Sequence, residues 1–272
     1  MHKKSLEICL YVAGAGAFGV FLRWLENQLA FNELGLADPS AFHVMLIAFL
    51  AACVLVFRHF LVQMEEQGYV LPKDFSLALG NQLQLHWILA IAAGAVMALG
   101  GLLLFAGCET DKFAGMLRLL SALALLSGVA YPLVMREAER EEPRPALLCA
   151  LMILPMLLYA LWLIISYRNN AINSVPLSYG LEMLTTIVCM AAYFQMAGFG
   201  FGAPRTRQSL LFPMLSATLC IMSLADERYI SMQMILLATA GQMLLYVWLM
   251  VQNLQKVEKK KVVRKDDGFE HL

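Results

Sequence analysis

Arg23 and Glu26 stand three residues apart inside an apolar run that extends over 6–30. On a helix that spacing puts both side chains on one face, within reach of an ion pair. A charged side chain at the centre of a bilayer costs about 3 kcal/mol on insertion scales, so such residues pair, snorkel or face a polar cavity. Arg23 falls toward one end of its run, where a long stem can reach the headgroups. Arg118, Tyr179 and Glu182 fall at a comparable depth in other apolar runs, with Tyr179 three before Glu182 on the same helical face. Two arginines, two carboxylates and a phenol at one depth can close into a structural network or line a vestibule that takes a ligand. Arg23, Glu26, Arg118, Tyr179 and Glu182 are therefore the candidate ligand set. Sequence alone does not make the runs that carry them neighbours.

A second candidate is the run Gly198-Phe-Gly-Phe-Gly, followed by Arg205 and Arg207. Gly200 and Gly202 leave backbone amides open beside two guanidiniums, which suits an anionic headgroup. Read plainly, the same stretch is a loop whose positive charge marks a membrane side. Signatures of soluble enzymes are missing: no G-x-S-x-G, H-E-x-x-H, P-loop or dinucleotide fingerprint occurs. Catalysis needs a convergent acid, base or nucleophile, and Glu26 and Glu182 are the carboxylates on offer, so the balance leans away from an enzyme. The six cysteines contain no C-x-x-C pair, and five lie inside apolar runs, with Cys108 alone expected near water. His59 and His86 flank one connection, but a haem would need them facing each other at one depth. No metal and no cofactor is assigned.

The elements that must position these residues are membrane helices. The chain has 272 residues, 60% of them hydrophobic and 15% charged, and its mean hydropathy is +0.67. A typical soluble domain carries about 25% charged residues. Eight apolar runs occupy 6–30, 42–64, 85–106, 115–135, 146–167, 177–199, 209–224 and 229–254. All but the seventh are long enough as helices to cross the hydrocarbon core. The seventh, at 16 residues, spans only if its polar flanks reach the interface. The runs are continuous and show no ten-residue alternation, which favours helices over a barrel. The expected fold is all-α: a bundle of eight transmembrane helices over 1–255 and a basic, disordered tail over 256–272.

Lys and Arg set the orientation. With the N-terminus cytoplasmic, fifteen basic residues fall in inner segments and three (Lys112, Arg168 and Arg228) in outer ones. Both termini are therefore placed on the cytoplasmic side of the cell membrane. The N-terminal run contains Glu7 and continues past its small residues, so it reads as a retained span and not a cleaved signal peptide. The connection 65–84 is expected to lie along the interface with Phe75, Leu77 and Leu79 turned inward. The charged stretch 136–145 is expected to extend the fourth span as a solvated turn stopped by Pro143. Ala90, Gly94 and Ala98 recur every four residues and permit close helix approach. The bilayer is the expected partner, with anionic lipid at Lys259, Lys260 and Lys261. A protein partner or a homo-oligomer stays open, and nothing points to nucleic acid.

Leu22-Arg23-Trp24 with Asn32-Glu33-Leu34-Gly35-Leu36, and the stretch from Tyr193 to Arg207, resemble patterns that recur in bacterial multi-pass membrane proteins. The resemblance covers about a quarter of the chain and implies no activity. The span count is also similar to that of the membrane anchors of quinol-linked oxidoreductases. The function expected is binding or moving a small or amphiphilic ligand. The alternatives are an anchor or assembly subunit for a partner protein, and an intramembrane lipid-modifying enzyme.

Overall fold

The structure, a computed structural model, describes residues 2–29, 41–80, 84–108, 113–140, 142, 144–170, 176–202 and 204–256. The helices in chain order are α1 (His2–Leu29), α2 (Ala41–Glu66), α3 (Phe75–Leu79), α4 (Gln84–Gly107) and α5 (Ala114–Ala138). They continue as α6 (Pro145–Asn170), α7 (Pro176–Ala197), α8 (Thr206–Met222) and α9 (Ile230–Gln252). Two short strands, β1 (Tyr69–Val70) and β2 (Gln255–Lys256), pair antiparallel. Every helix except α3 belongs to one of eight segments long and apolar enough to cross a membrane.

The seventh of these runs from Thr206 to Ala225, 20 residues, about 30 Å as helix. It is longer than its apolar stretch because Thr206, Arg207 and Gln208 are helical as well. Arg207 is held by Glu65, with Nη2 to Oε2 at 2.5 Å. A 3-10 turn at Ser223–Ala225 adds the other end.

Six helices close a ring in the order α4, α5, α6, α7, α8, α9 and back to α4. α1 packs outside the ring in the groove between α8 and α9, and α2 lies beyond it against α1 and α8. α9 is the most enclosed span and α2 the least. Apolar side chains on the ring's exterior stay exposed, Leu102, Phe105, Leu126 and Val129 among them, as expected where lipid is the solvent.

The α4–α5 seam rests on two glycines. A Cβ on Gly94 would sit 2.3 Å from the Gly128 carbonyl oxygen, and one on Gly128 would sit 2.6 Å from that of Gly94. Both obstacles are backbone, so neither can turn aside. We expect Gly94→Ala to destabilise the bundle by about 1–3 kcal/mol, the range for overpacking. Gly14→Ala, where a Cβ meets nothing within 4 Å, is the neutral control. Denaturant titration in detergent reads both, and equal midpoints would refute the seam.

At the end of the bundle where α9 stops, β1 and β2 clip the connection after α2 to the chain beyond α9. Asn253 Nδ2 donates to the carbonyls of Ala78 and Gly80, both at 3.0 Å, and so fastens α3 there. The expectation for 65–84 needs one correction. Phe75, Ala78 and Leu79 are buried, whereas Leu77 is exposed. A helical turn presents i, i+3 and i+4 to one side and sends i+2 away. α5 runs on to Ala138, the helical extension expected of the fourth span, but that end is not a solvated turn, since Glu137 and Ala138 are buried; Pro143 lies outside the described residues. Lys259, Lys260 and Lys261, with the rest of the tail beyond Lys256, also lie outside them. Cys108 is buried, its thiol on the Phe105 carbonyl, and is not near water as the sequence suggested.

Candidate functional site

The end of the bundle opposite the β clip holds a cavity of about 1200 Å³. Its walls come from the last turns of α1 and α6, the first turns of α5, α7 and α9, and the turn between α8 and α9. Arg23, Tyr179 and Glu182 line it, as do Asp226, Arg228 and Trp162.

The floor is a chain of paired side chains that crosses five elements. His43 Nδ1 on α2 meets Glu26 Oε1 on α1. Arg23 Nη1 donates to Glu26 Oε2 at 2.6 Å, the i, i+3 pair that the spacing predicts. Arg23 Nε donates to Asp226 Oδ1 at 2.6 Å. Arg228 Nη2 donates to Asp226 Oδ2 at 2.7 Å and lies 3.7 Å from Glu182 Oε2. Trp162 Nε1 donates to Glu182 Oε1 at 2.7 Å and ends the series on α6. Arg23, Glu26, His43 and Asp226 are buried. Burying charges is expensive unless their oxygens and N–H groups are paired, and a connected chain pairs most of them. Glu26 has a partner on each oxygen, Arg23 on Oε2 and His43 on Oε1.

Two polar groups in the cavity wall, Ser166 Oγ and Arg228 Nη1, are unspent among the described residues. Among the described residues, Arg228 Nη1 has no hydrogen-bond partner, although its side chain is nine-tenths buried. A buried guanidinium N–H without an acceptor loses the desolvation energy of that group. The aromatic rings of Trp24, Phe113 and Tyr229 and the amides of Asn27 and Gln233 also line the cavity.

Below the vestibule the ring interior is filled. Trp162 stacks on Tyr159 at 5.9 Å and 7°, Tyr159 on Tyr193 at 6.1 Å, and Tyr193 on Tyr131 at 6.4 Å. Tyr159 donates its hydroxyl hydrogen to Thr239 Oγ1 at 2.6 Å; Tyr131 and Thr239 are 3.3 Å apart, and the hydroxyls of Tyr131 and Tyr193 are 2.5 Å apart. These contacts join α5 to α7, α5 to α9 and α6 to α9, which are not neighbours around the ring. They form a plug through its middle. Beside it, the thiols of Cys189 and Cys220 lie 3.3 Å apart.

The candidate set from the sequence divides. Arg23, Glu26 and Glu182 are joined through the floor chain, and Tyr179 lines the same cavity. Arg118 does not join them: it is exposed on the outer face of α5, one residue past the buried Leu117. The second set divides as well. Gly200 and Gly202 line a smaller cavity at the clip end, but Arg207 is paired with Glu65, and Arg205 Nη1 reaches Gln208 at 3.4 Å on the exposed side. His59 is exposed beside Gln63, while His86 is buried against Trp248 with ring centres 4.6 Å apart, so the two do not face each other.

Sequence reasoning missed His43, Trp162, Asp226 and Arg228. Asp226-Glu227-Arg228 reads as a solvated turn between two spans. Only its fold-back over the end of α1 buries the first of the three.

No known protein family, curated protein or solved structure matches this chain.

Proposed function

We propose that this multi-pass membrane protein binds a small amphiphilic ligand in the vestibule. The observation that carries the reading is Arg228 Nη1, a buried donor with no partner among the described residues, in the wall of a roomy cavity. The head that fits is neutral and accepts hydrogen bonds: a carbonyl, an amide or a hydroxyl. Arg23 and Arg228 already face Glu26, Asp226 and Glu182, so a full anion would add a fourth negative charge to two positive ones. The aromatic walls suit the apolar part of the ligand. The Lys and Arg bias of the connections supports a vestibule open to the outside of the cell membrane. Movement of the ligand onward would require the tyrosine plug to part.

Native mass spectrometry of the protein released from its own membrane tests the reading. The wild type is expected to carry a stoichiometric small molecule. Arg228→Gln is expected to lower its occupancy by at least about tenfold, the equivalent of one charge-assisted hydrogen bond. Arg118→Gln, altered on the bundle exterior, is expected to retain it. A bare wild type, or full retention by Arg228→Gln, would overturn the reading.

A further inference from the structure

The second cavity, about 490 Å³, lies at the clip end, between α3, the end of α5, the start of α6 and the 3-10 turn after α7. Its chemistry differs from that of the vestibule. Glu137 lines it and is buried, with a side chain 7% exposed. One oxygen of Glu137, Oε1, pairs with Arg140 Nη1 at 3.2 Å. The other, Oε2, is buried and has no hydrogen-bond partner among the described residues. A carboxylate oxygen in that position asks for a donor, and a positively charged donor satisfies it best.

The rim carries both signs. Lys73 and Arg144 are exposed lining residues, and so is Asp74. Two cations and two carboxylates in one lining do not favour a ligand of net charge. They favour one with an ammonium for Glu137 and a phosphate for Lys73 and Arg144. The turn that closes the cavity is built for close approach. A Cβ on Gly200 would lie 2.3 Å from Cys149 Sγ and 3.0 Å from the Pro145 carbonyl oxygen, and Gly202 takes φ +65°. Around the mouth, Phe201 is 78% exposed and Leu77 54% exposed on the flanking turn and on α3. Large apolar groups exposed beside a charged cavity match a molecule whose head is polar and whose remainder lies in lipid.

We propose that this cavity binds a primary ammonium joined to a phosphate by a short linker, with the ammonium on Glu137 Oε2. That chemistry occurs as the headgroup of an aminophospholipid and as a free phosphoethanolamine.

The test reconstitutes the full chain in nanodiscs of equal parts phosphatidylethanolamine, phosphatidylcholine and phosphatidylglycerol, and weighs the lipids retained on release. Phosphatidylethanolamine is expected to be enriched about tenfold over the other two, because a quaternary ammonium has no N–H to give and a glycerol head carries no positive charge. Glu137→Gln is expected to abolish the enrichment. The pair Lys73→Gln/Arg144→Gln changes exposed residues only, so folding is not at issue, and it is expected to weaken retention too. Added phosphoethanolamine separates the sources. If it displaces the lipid, the head alone is read; if it does not while the enrichment persists, the lipid is the ligand. Equal retention of the three lipids by the wild type, or unchanged enrichment in Glu137→Gln, would overturn the proposal.

Discussion

Asp226→Ala is expected to destabilise the folded chain by about 3–5 kcal/mol, the range for removing one member of a buried charge pair. Asp226 is the only described residue of the floor chain that holds two guanidiniums, through Oδ1 to Arg23 and Oδ2 to Arg228. Its loss leaves two buried cations short of an acceptor. Asp226→Asn keeps one oxygen in place and is expected to lose less. In the double variant Arg23→Gln/Asp226→Asn the losses are expected to sum to less than the two singles, because each single strands what the double removes. Denaturant titration in detergent measures these variants and the Arg23→Gln single. A loss below about 1 kcal/mol for Asp226→Ala would show that the chain behaves as a solvated surface network.

Trp162→Ala carries the second large effect. The side chain is fully buried, stacks on Tyr159 and donates to Glu182. Truncating a buried Trp costs about 3–5 kcal/mol. It also removes the layer between the vestibule and the tyrosine plug, so water reaches the Tyr159 hydroxyl. Trp162→Phe separates the two roles: it keeps a ring on Tyr159 and strands Glu182 Oε1, for a loss of about 1–3 kcal/mol. Thermal unfolding ranks the variants, and ultraviolet tyrosine spectra report the exposure. Equal stability of the Ala and Phe variants would mean that the stack contributes nothing beyond the hydrogen bond.

Much of this architecture is legible in residue patterns, because a bilayer imposes one demand on every span. Eight long apolar runs suffice to find eight helices, and Gly94 announces a close seam by lacking a side chain. The Arg23–Glu26 pair is legible too, since three residues on a helix is a local geometry. The remainder of the site depends on pairings between distant residues. Asp226 reaches Arg23 only because α1 packs against α8, and no property of either segment declares that choice. Arg118 misled for a related reason. Depth follows from position along a span, but the face a residue presents depends on which neighbours the helix acquires. Glu137 was hidden in a run of charges that reads as solvated, where a turn of chain folds over one of them.

The placement of α1 has a consequence for how the protein is made. Its partners inside the bundle are α8 and α9, the last two of the eight spans and synthesised well after it. Arg23 and Asp226 are 203 residues apart. During synthesis, therefore, Arg23 enters the bilayer with Glu26 as its neighbour on the same helix, long before Asp226 exists. Glu26 then serves as an escort for the first helix, holding its cation until the closing turn arrives. α4 and α5, adjacent in sequence and in space, have no such wait and can dock as soon as both have emerged.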